Sequence, residues 1–329
     1  MTIAGTTSRI PWPALDTPIV TDGGLETWLL FQRGIDLPAF AAYPLLDDED
    51  GRAQLVVYYG RYLAIAASVG AAALLEAPTW RANPDWAGSL GHDLGELGRL
   101  IDDSIALMHE LRSQHRTDHA VLVSAVVGPR GDGYRVDLEM SPDEAADYHR
   151  FQIERSWRAG ADVVTALTMT HVGEAVGVAL AAQAVGIPSV ISFTVETDGR
   201  LPSGTTLAEA IVETDATTDA APHHYMINCA HPTHFEHVFQ GAGDWTQRIG
   251  GLRANASMLS HAELDEMTEL DEGDPVDLAA RYVTLRSELP ALQVIGGCCG
   301  TDDRHVDAIA RAFITSGPDV NPTRRTTAK

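Results

Sequence analysis

The chain has 329 residues, 45% of them hydrophobic and 21% charged, with 46 acidic against 23 basic side chains and a formal net charge of −23. Such a balance fits a soluble globular protein and repels nucleic acid, and no basic stripe or aromatic groove offsets it. No apolar run is long enough for a bilayer, the start lacks the apolar core of a signal peptide, and three cysteines make a poor disulfide framework, so a cytoplasmic protein without a membrane role is expected.

Short apolar runs recur along the chain. The first is PIVTDGG (18–24), followed by AAALLEAP (71–78), AVLVSAVVGP (120–129) and ADVVTALTMT (161–170). The series continues with PSVISFTVET (188–197), YMINCAHP (225–232), IGGLRANAS (249–257) and LQVIGGCCG (292–300). Stretches with helical spacing of apolar residues lie between them, and SPDE at 141–144 reads as a capping box opening one of them. Continuous apolar strands alternating with helices predict a parallel sheet covered on both faces. Eight such units fit a single-domain (β/α)8 TIM barrel, which needs ~250 residues plus insertions. A doubly wound sheet is the alternative, weakened because no GxGxxG follows the first strand. The expected organisation is a loose N-terminal segment over 1–15, a barrel over 16–318 and a tail over 319–329; the acidic stretch 262–276 reads as a solvated loop.

Barrel active sites lie at the carboxyl ends of the strands. In this frame those ends carry Asp22, Glu76, Gly128, Thr168, Glu196, Cys229, Asn255 and the adjacent pair Cys298–Cys299. All three cysteines of the chain then share one face, on strands six and eight. Flanking glycines let the backbone turn so that both sulfurs of GGCCG can face one centre. Three thiolates suit zinc and leave a fourth position open, as catalytic sites do. The histidines of NCAHPTHFEH (228–237) lie past the strand end and read as helix-surface or capping residues, with His231 a minor candidate for a fourth ligand. In GTDDRH (300–305), Thr301 and the two aspartates read as helix caps rather than an anion cradle, and His305 as a residue of that capping region.

These motifs resemble the homocysteine S-methyltransferase family, which includes S-methylmethionine-dependent and betaine-dependent enzymes. The likeness runs from about residue 18 to 315 through DGGLET (22–27), GPRGDGY (128–134), NCAHP (228–232), RANAS (253–257) and GGCCGTDDRHVDAIA (296–310). It implies zinc held by Cys229, Cys298 and Cys299, with the homocysteine thiol in the fourth position. It further implies that a cationic methyl donor, a sulfonium or quaternary ammonium, yields methionine. By the same likeness Asp22 contacts the acceptor's ammonium, and Asn228 and Asn255 support the loops beside the metal. Trp28, Trp80, Trp86 and Tyr134 follow strand ends, where an aromatic ring can hold a cationic donor.

Strand four departs from the family pattern. Where the family commonly has Asp-Leu-Leu-x-x-Glu-Thr, this chain has Leu167 in the glutamate's place, followed by Thr168. Glu76 at the end of strand two is the expected replacement, so the expected substrate-binding set is Asp22, Glu76, Asn228 and Thr168. The alternatives are a different thiol acceptor, zinc-assisted hydrolysis, and a metal- or thiol-binding barrel without turnover. The expected partners are a small thiol and a methyl donor; self-association is open.

Overall fold

The structure is a computed structural model that describes residues 9–316. Eight parallel strands close on themselves in sequential order: β1 (Ile19–Val20), β2 (Ala72–Glu76), β3 (Val121–Val127), β4 (Val163–Met169), β5 (Ser189–Phe193), β6 (His224–Asn228), β7 (Ile249–Ala254) and β8 (Val294–Gly297). Seven fall within the predicted runs, and β6 begins one residue before its run, at His224. The closing pair sets Ile19 beside Val294 and Val20 beside Ile295, which excludes the open doubly wound sheet.

The helices α1 (Glu49–Val69), α2 (Leu94–Gln114), α3 (Pro142–Ala159), α4 (Val172–Val185), α5 (Leu207–Thr218), α6 (Pro232–Phe235), α7 (Pro275–Glu288) and α8 (Asp303–Thr315) follow the strands in turn. Their ends obey local rules. Ser141 and Glu144 form the expected capping box on α3, and Gly160 closes that helix in the left-handed conformation. Asp302 caps α8 through the Arg304 amide, and buried His305 bonds Asp302 Oδ1 at 2.9 Å.

Alternate strand residues point into the barrel. Ile19, Ala72, Leu74, Leu122, Val163, Val190, Met226 and Val294 pack together in its lower part, so the interior is a plug and not a pore. The outward-facing residues join the larger core beneath the helices.

Residues 9–14 correct the expectation of a loose start. Ile10 and Trp12 pack on the lower plug. The Ile10 amide donates to Asp162 at 2.9 Å, and Trp12 Nε1 donates to Gln293 at 2.9 Å. Two buried polar groups beneath the barrel, Asp162 and Gln293, thereby gain partners, which a free segment would deny them. The rest of the expected N-terminal segment, residues 1–8, and the expected tail at 319–329 lie outside the described residues.

Candidate metal centre and its two chambers

The three cysteines meet at the carboxyl mouth of the barrel, their sulfurs all within 4.8 Å of one another. Cys229 follows β6, and its amide donates to the Arg253 carbonyl on β7 at 3.0 Å. Its φ is +56°, a conformation a non-glycine residue holds only where its surroundings impose it. Cys298 follows β8, with its amide on the Ala254 carbonyl at 2.8 Å. The glycines of GGCCG have separate reasons. A Cβ on Gly297 would lie 2.1 Å from Thr301 Oγ1, and Gly300 turns the chain at φ +77°. The tight turn that brings the paired sulfurs to the centre thus rests on a missing side chain on one side and a left-handed glycine on the other.

Four sulfur ligands around a tetrahedral zinc at ~2.3 Å stand ~3.8 Å apart. The cysteine cluster fits that spacing, and three soft donors with one side left open fit a metal that also takes a substrate atom. Among the described residues no other group of three or more histidine, cysteine or acidic side chains converges in this way. His231 is not part of it: the residue caps α6, with its ring on Thr233 at 2.8 Å. His231 and His234 are buried rather than on a helix surface, while His237 is exposed.

Neutral donors surround the sulfurs. Tyr134 Oη lies 3.1 Å from Cys229 Sγ and 3.7 Å from Cys299 Sγ, and Asn255 Nδ2 lies 3.8 Å from Cys229 Sγ. Burial, and then the neighbouring cysteines, push the Tyr134 phenol well above its ordinary range, so the hydroxyl keeps its proton and donates. His261 supports both partners. Its ring lies 4.3 Å from that of Tyr134, and its Nε2 stands 2.7 Å from the Cys229 carbonyl oxygen.

Two chambers adjoin the cluster and share Phe40, Trp80, Tyr134 and Cys299 in their walls. The smaller, about 60 Å³, is lined by Asp22, Glu26, Glu76, Leu167, Thr168 and Cys298, among others. The larger, about 380 Å³, extends under the loop after β7 and is lined by Arg81, Leu264, Met267 and Asp271, among others. That loop is the acidic stretch read from sequence as solvated; part of it is a chamber wall.

The smaller chamber holds the main surprise. Asp22 and Glu76, expected to meet a substrate ammonium, both meet buried Arg253 on β7. Arg253 Nη2 donates to Asp22 Oδ1 at 2.5 Å, Nη1 pairs with Glu76 Oε2, and Nε donates to the Gly297 carbonyl at 2.9 Å. The cation that Asp22 would otherwise lack is internal. Arg253 is the first residue of RANAS, and the sequence signal for it is a basic residue near the end of an apolar strand. Glu76 Oε1 remains without a hydrogen-bond partner, and Glu26 makes no ion pair among the described residues. Burial, reinforced by Cys298 and Asp22, pushes the Glu26 carboxyl up to about 7.

Leu167 faces this chamber from a bulge, where the β4–β5 register shifts between Ala166 and Met169. Thr168 follows at φ +64°. Asn228 fixes this turn. Its Oδ1 accepts from the Thr168 amide at 2.8 Å and from Ser192 at 2.7 Å, and its Nδ2 donates to Thr168 Oγ1 at 3.0 Å. These side chains bond each other, so Asn228 and Thr168 shape the chamber as scaffold. Of the four aromatics, Trp28 packs against Tyr58 away from the chambers, Trp80 and Tyr134 line them, and Trp86 stacks on Arg81.

A parallel eight-stranded barrel with a three-thiol cluster at its carboxyl mouth and two adjoining chambers defines a barrel enzyme whose thiols could hold a metal ion. The model of the Homocysteine S-methyltransferase family matches residues 19–313, and the chain belongs to that family of methyltransferases. Homocysteine S-methyltransferase 1 of Arabidopsis thaliana is 25% identical over 314 residues, covering 89% of this chain and 92% of the relative. Homocysteine S-methyltransferase 4 of Zea mays is 28% identical over 215 residues, covering 61% of each chain. Among solved structures, the oxidized form of the homocysteine methyltransferase MmuM from Escherichia coli superposes with a TM-score of 0.70 at 20% identity, covering 89% of this chain and 95% of that one. The metallated form of the same protein gives 0.67 at 20% identity, covering 90% and 96%. These likenesses agree with the barrel seen here.

Proposed function

We propose that this protein transfers a methyl group from a cationic donor to the thiol of homocysteine at a zinc ion held by Cys229, Cys298 and Cys299. The observation that carries this reading is the convergence of three thiols from β6 and β8 beside a small chamber with excess negative charge. Bound zinc would supply an acceptor sulfur that is ionised at neutral pH, where a free thiol with a pKa near ~8.5 is mostly protonated. The acceptor sulfur forms a bond to the methyl carbon as the donor's C–S or C–N bond breaks. The electron pair stays with the donor, which becomes neutral, and the thiol proton leaves to solvent.

The chain's own groups favour that reaction. Tyr134 and Asn255 donate toward the cysteine sulfurs and hold them in place without adding charge. In the smaller chamber Asp22, Glu26 and Glu76 face one guanidinium, Arg253, which leaves an excess of two negative charges once all three are ionised and favours a further cation there. An acceptor's ammonium supplies it, through Glu76 Oε1 and Glu26. Asp22 contributes through its field and by holding Arg253. Leu167 leaves the strand-four side of the chamber apolar, which a short methylene chain complements.

The test is metal analysis with an activity assay on one preparation. About one zinc per chain is expected, with methionine formed from homocysteine and a sulfonium or betaine donor. Cys298→Ser and Cys299→Ser should each lose most of the metal and all methyl transfer. X-ray absorption without sulfur neighbours at the metal, or full activity of metal-free protein, would refute the assignment.

A further inference from the structure

The three sulfurs of the centre do not have equal freedom. Cys298 and Cys299 are neighbours in one turn, set by Gly297 and Gly300. Cys229 comes from another loop, after β6, and its own contacts must bring it to that pair. Its backbone sits at φ +56°, which only its surroundings can impose. The peptide is held on both sides: the amide donates to the Arg253 carbonyl at 3.0 Å, and the carbonyl oxygen faces His261 Nε2 at 2.7 Å. A carbonyl can only accept, so Nε2 carries the hydrogen. His261 is 7% exposed and opens a short helix, His261–Asp265, that Ser260 and Glu263 cap reciprocally. At the other end of its ring, Nδ1 lies 3.5 Å from Glu196 Oε1 in the loop after β5. That loop closes on itself, with the Gly199 amide on the Glu196 carbonyl at 2.9 Å and the Glu196 amide on the Arg200 carbonyl at 2.8 Å. Glu196 lines neither chamber, so substrate contact does not account for it.

We propose that Glu196 and His261 are positioning residues for methyl transfer: Glu196 orients the His261 ring, and the ring sets where the Cys229 sulfur stands relative to the fixed pair Cys298–Cys299. This rests on the methyl-transfer reading above. The ring acts on Cys229 along two routes. Directly, it fixes the left-handed main chain through the carbonyl. Through Tyr134 it reaches the sulfur, since the two rings lie 4.3 Å apart with a tilt of 36° and the Tyr134 hydroxyl stands 3.1 Å from Cys229 Sγ. A carboxylate behind a histidine that steadies a metal ligand is a general way to hold first contacts to a metal in place. Here the histidine grips the ligand's main chain, so the pair ties the loops after β5, β6 and β7 into one frame around the open side of the cluster.

The experiment uses the full-length protein and three readouts. These are zinc affinity by chelator competition, the visible spectrum of the cobalt(II)-substituted protein and, without metal, the alkylation rate of each cysteine followed by peptide mass. His261→Leu keeps an apolar side chain beside Tyr134 and removes the donor. It should weaken zinc binding about ten- to hundredfold, the usual range for a lost outer partner of a metal ligand. At saturating cobalt its thiolate charge-transfer band should fall, and in metal-free protein Cys229 alone should change its alkylation rate. His261→Gln, whose amide can still reach the carbonyl, should recover part of each effect. Glu196→Gln should weaken zinc binding about two- to tenfold, the scale of one polar contact. It should add nothing to His261→Leu, because both act through one ring. A merely structural role would lower thermal stability and leave the cobalt spectrum and the alkylation pattern unchanged, which would overturn the proposal. Additive losses in the double variant would overturn it too. Glu196 is half-buried and remote from the sulfurs, so its variant decides the matter even if no His261 variant folds: zinc affinity and Cys229 alkylation both at wild-type values overturn the proposal. Wild-type protein that takes up no metal, with Cys229 alkylation still dependent on Glu196 or His261, would sink the methyl-transfer reading and leave the positioning pair standing.

Discussion

Glu26 and Glu76 hold the carboxylate oxygens at the mouth that Arg253 does not occupy. An ammonium placed between them replaces a contact worth ~1.5–3 kcal/mol, about ten- to hundredfold in affinity. Glu26→Gln and Glu76→Gln should therefore each raise the KM for homocysteine by about that factor and leave zinc content unchanged. A thiol without the amino group, assayed beside it, should be nearly indifferent to either change. For Glu26 the effect also carries a pH signature. Its carboxyl is pushed up to about 7, so it is protonated below that pH and ionised above it, and homocysteine binding should strengthen as pH rises through 7 in wild type but not in Glu26→Gln. Steady-state KM measured from pH 6 to 8 checks both statements. At this scale the cysteines were legible, because adjacent cysteines among glycines at a strand end have little other use. Arg253 was not: which way a strand-end side chain turns depends on bulges and register, and nothing in RANAS reveals them.

Among the elements, α4 shows how a helix start organises the neighbourhood of the site. Its first turn carries Glu174, buried, whose Oε1 accepts from the Arg130 amide after β3 at 2.8 Å and from His149 Nε2 on α3 at 2.9 Å. Burial alone would raise this carboxyl; the bonds from His149, His171 and the Arg130 amide outweigh it and hold the group at about 2. A carboxyl depressed in the folded state contributes stability that is complete above its unfolded pKa near 4.5 and is lost as pH falls toward 2. The shift corresponds to roughly 3 kcal/mol as an order of magnitude. Glu174→Gln should lower stability by a comparable amount at neutral pH, and the difference from wild type should shrink below pH 4.5, as read by urea denaturation. The eight strands were legible as elements because buried parallel strands are continuous apolar runs, and α3 declared itself through Ser141 and Glu144. The bulge at Leu167 and Thr168 left no such mark, since it arises from pairing with β5.

For the whole molecule, closure is the governing fact, and residues 9–14 seal it from below. Trp12 sits against His223, His224 and the lower plug, and its indole hydrogen-bonds Gln293 just before β8. Trp12→Ala should destabilise the fold by ~3 kcal/mol, the low end for an aromatic deletion because the ring is only partly buried. The metal centre lies at the opposite mouth, so kcat and zinc content should stay at wild-type values. Thermal unfolding and activity measured on the same sample check the separation.

The seam between β1 and β8 joins the two ends of the barrel through only two residue pairs, and Cys298 and Cys299 come directly after it. A growing chain therefore exposes Cys229 long before its partners exist. The cysteine cluster can assemble only once β8 and the pair after it have left the ribosome, so it forms together with ring closure, and the proposed metal would be captured at that same step. Under the proposed function, ligation from β6 across to β8 would act as a clasp beside this two-pair joint, as short as that between β1 and β2. Removing the metal should speed amide hydrogen exchange of β1 and β8 selectively, while β3 and β4, on the far side of the ring, keep their protection.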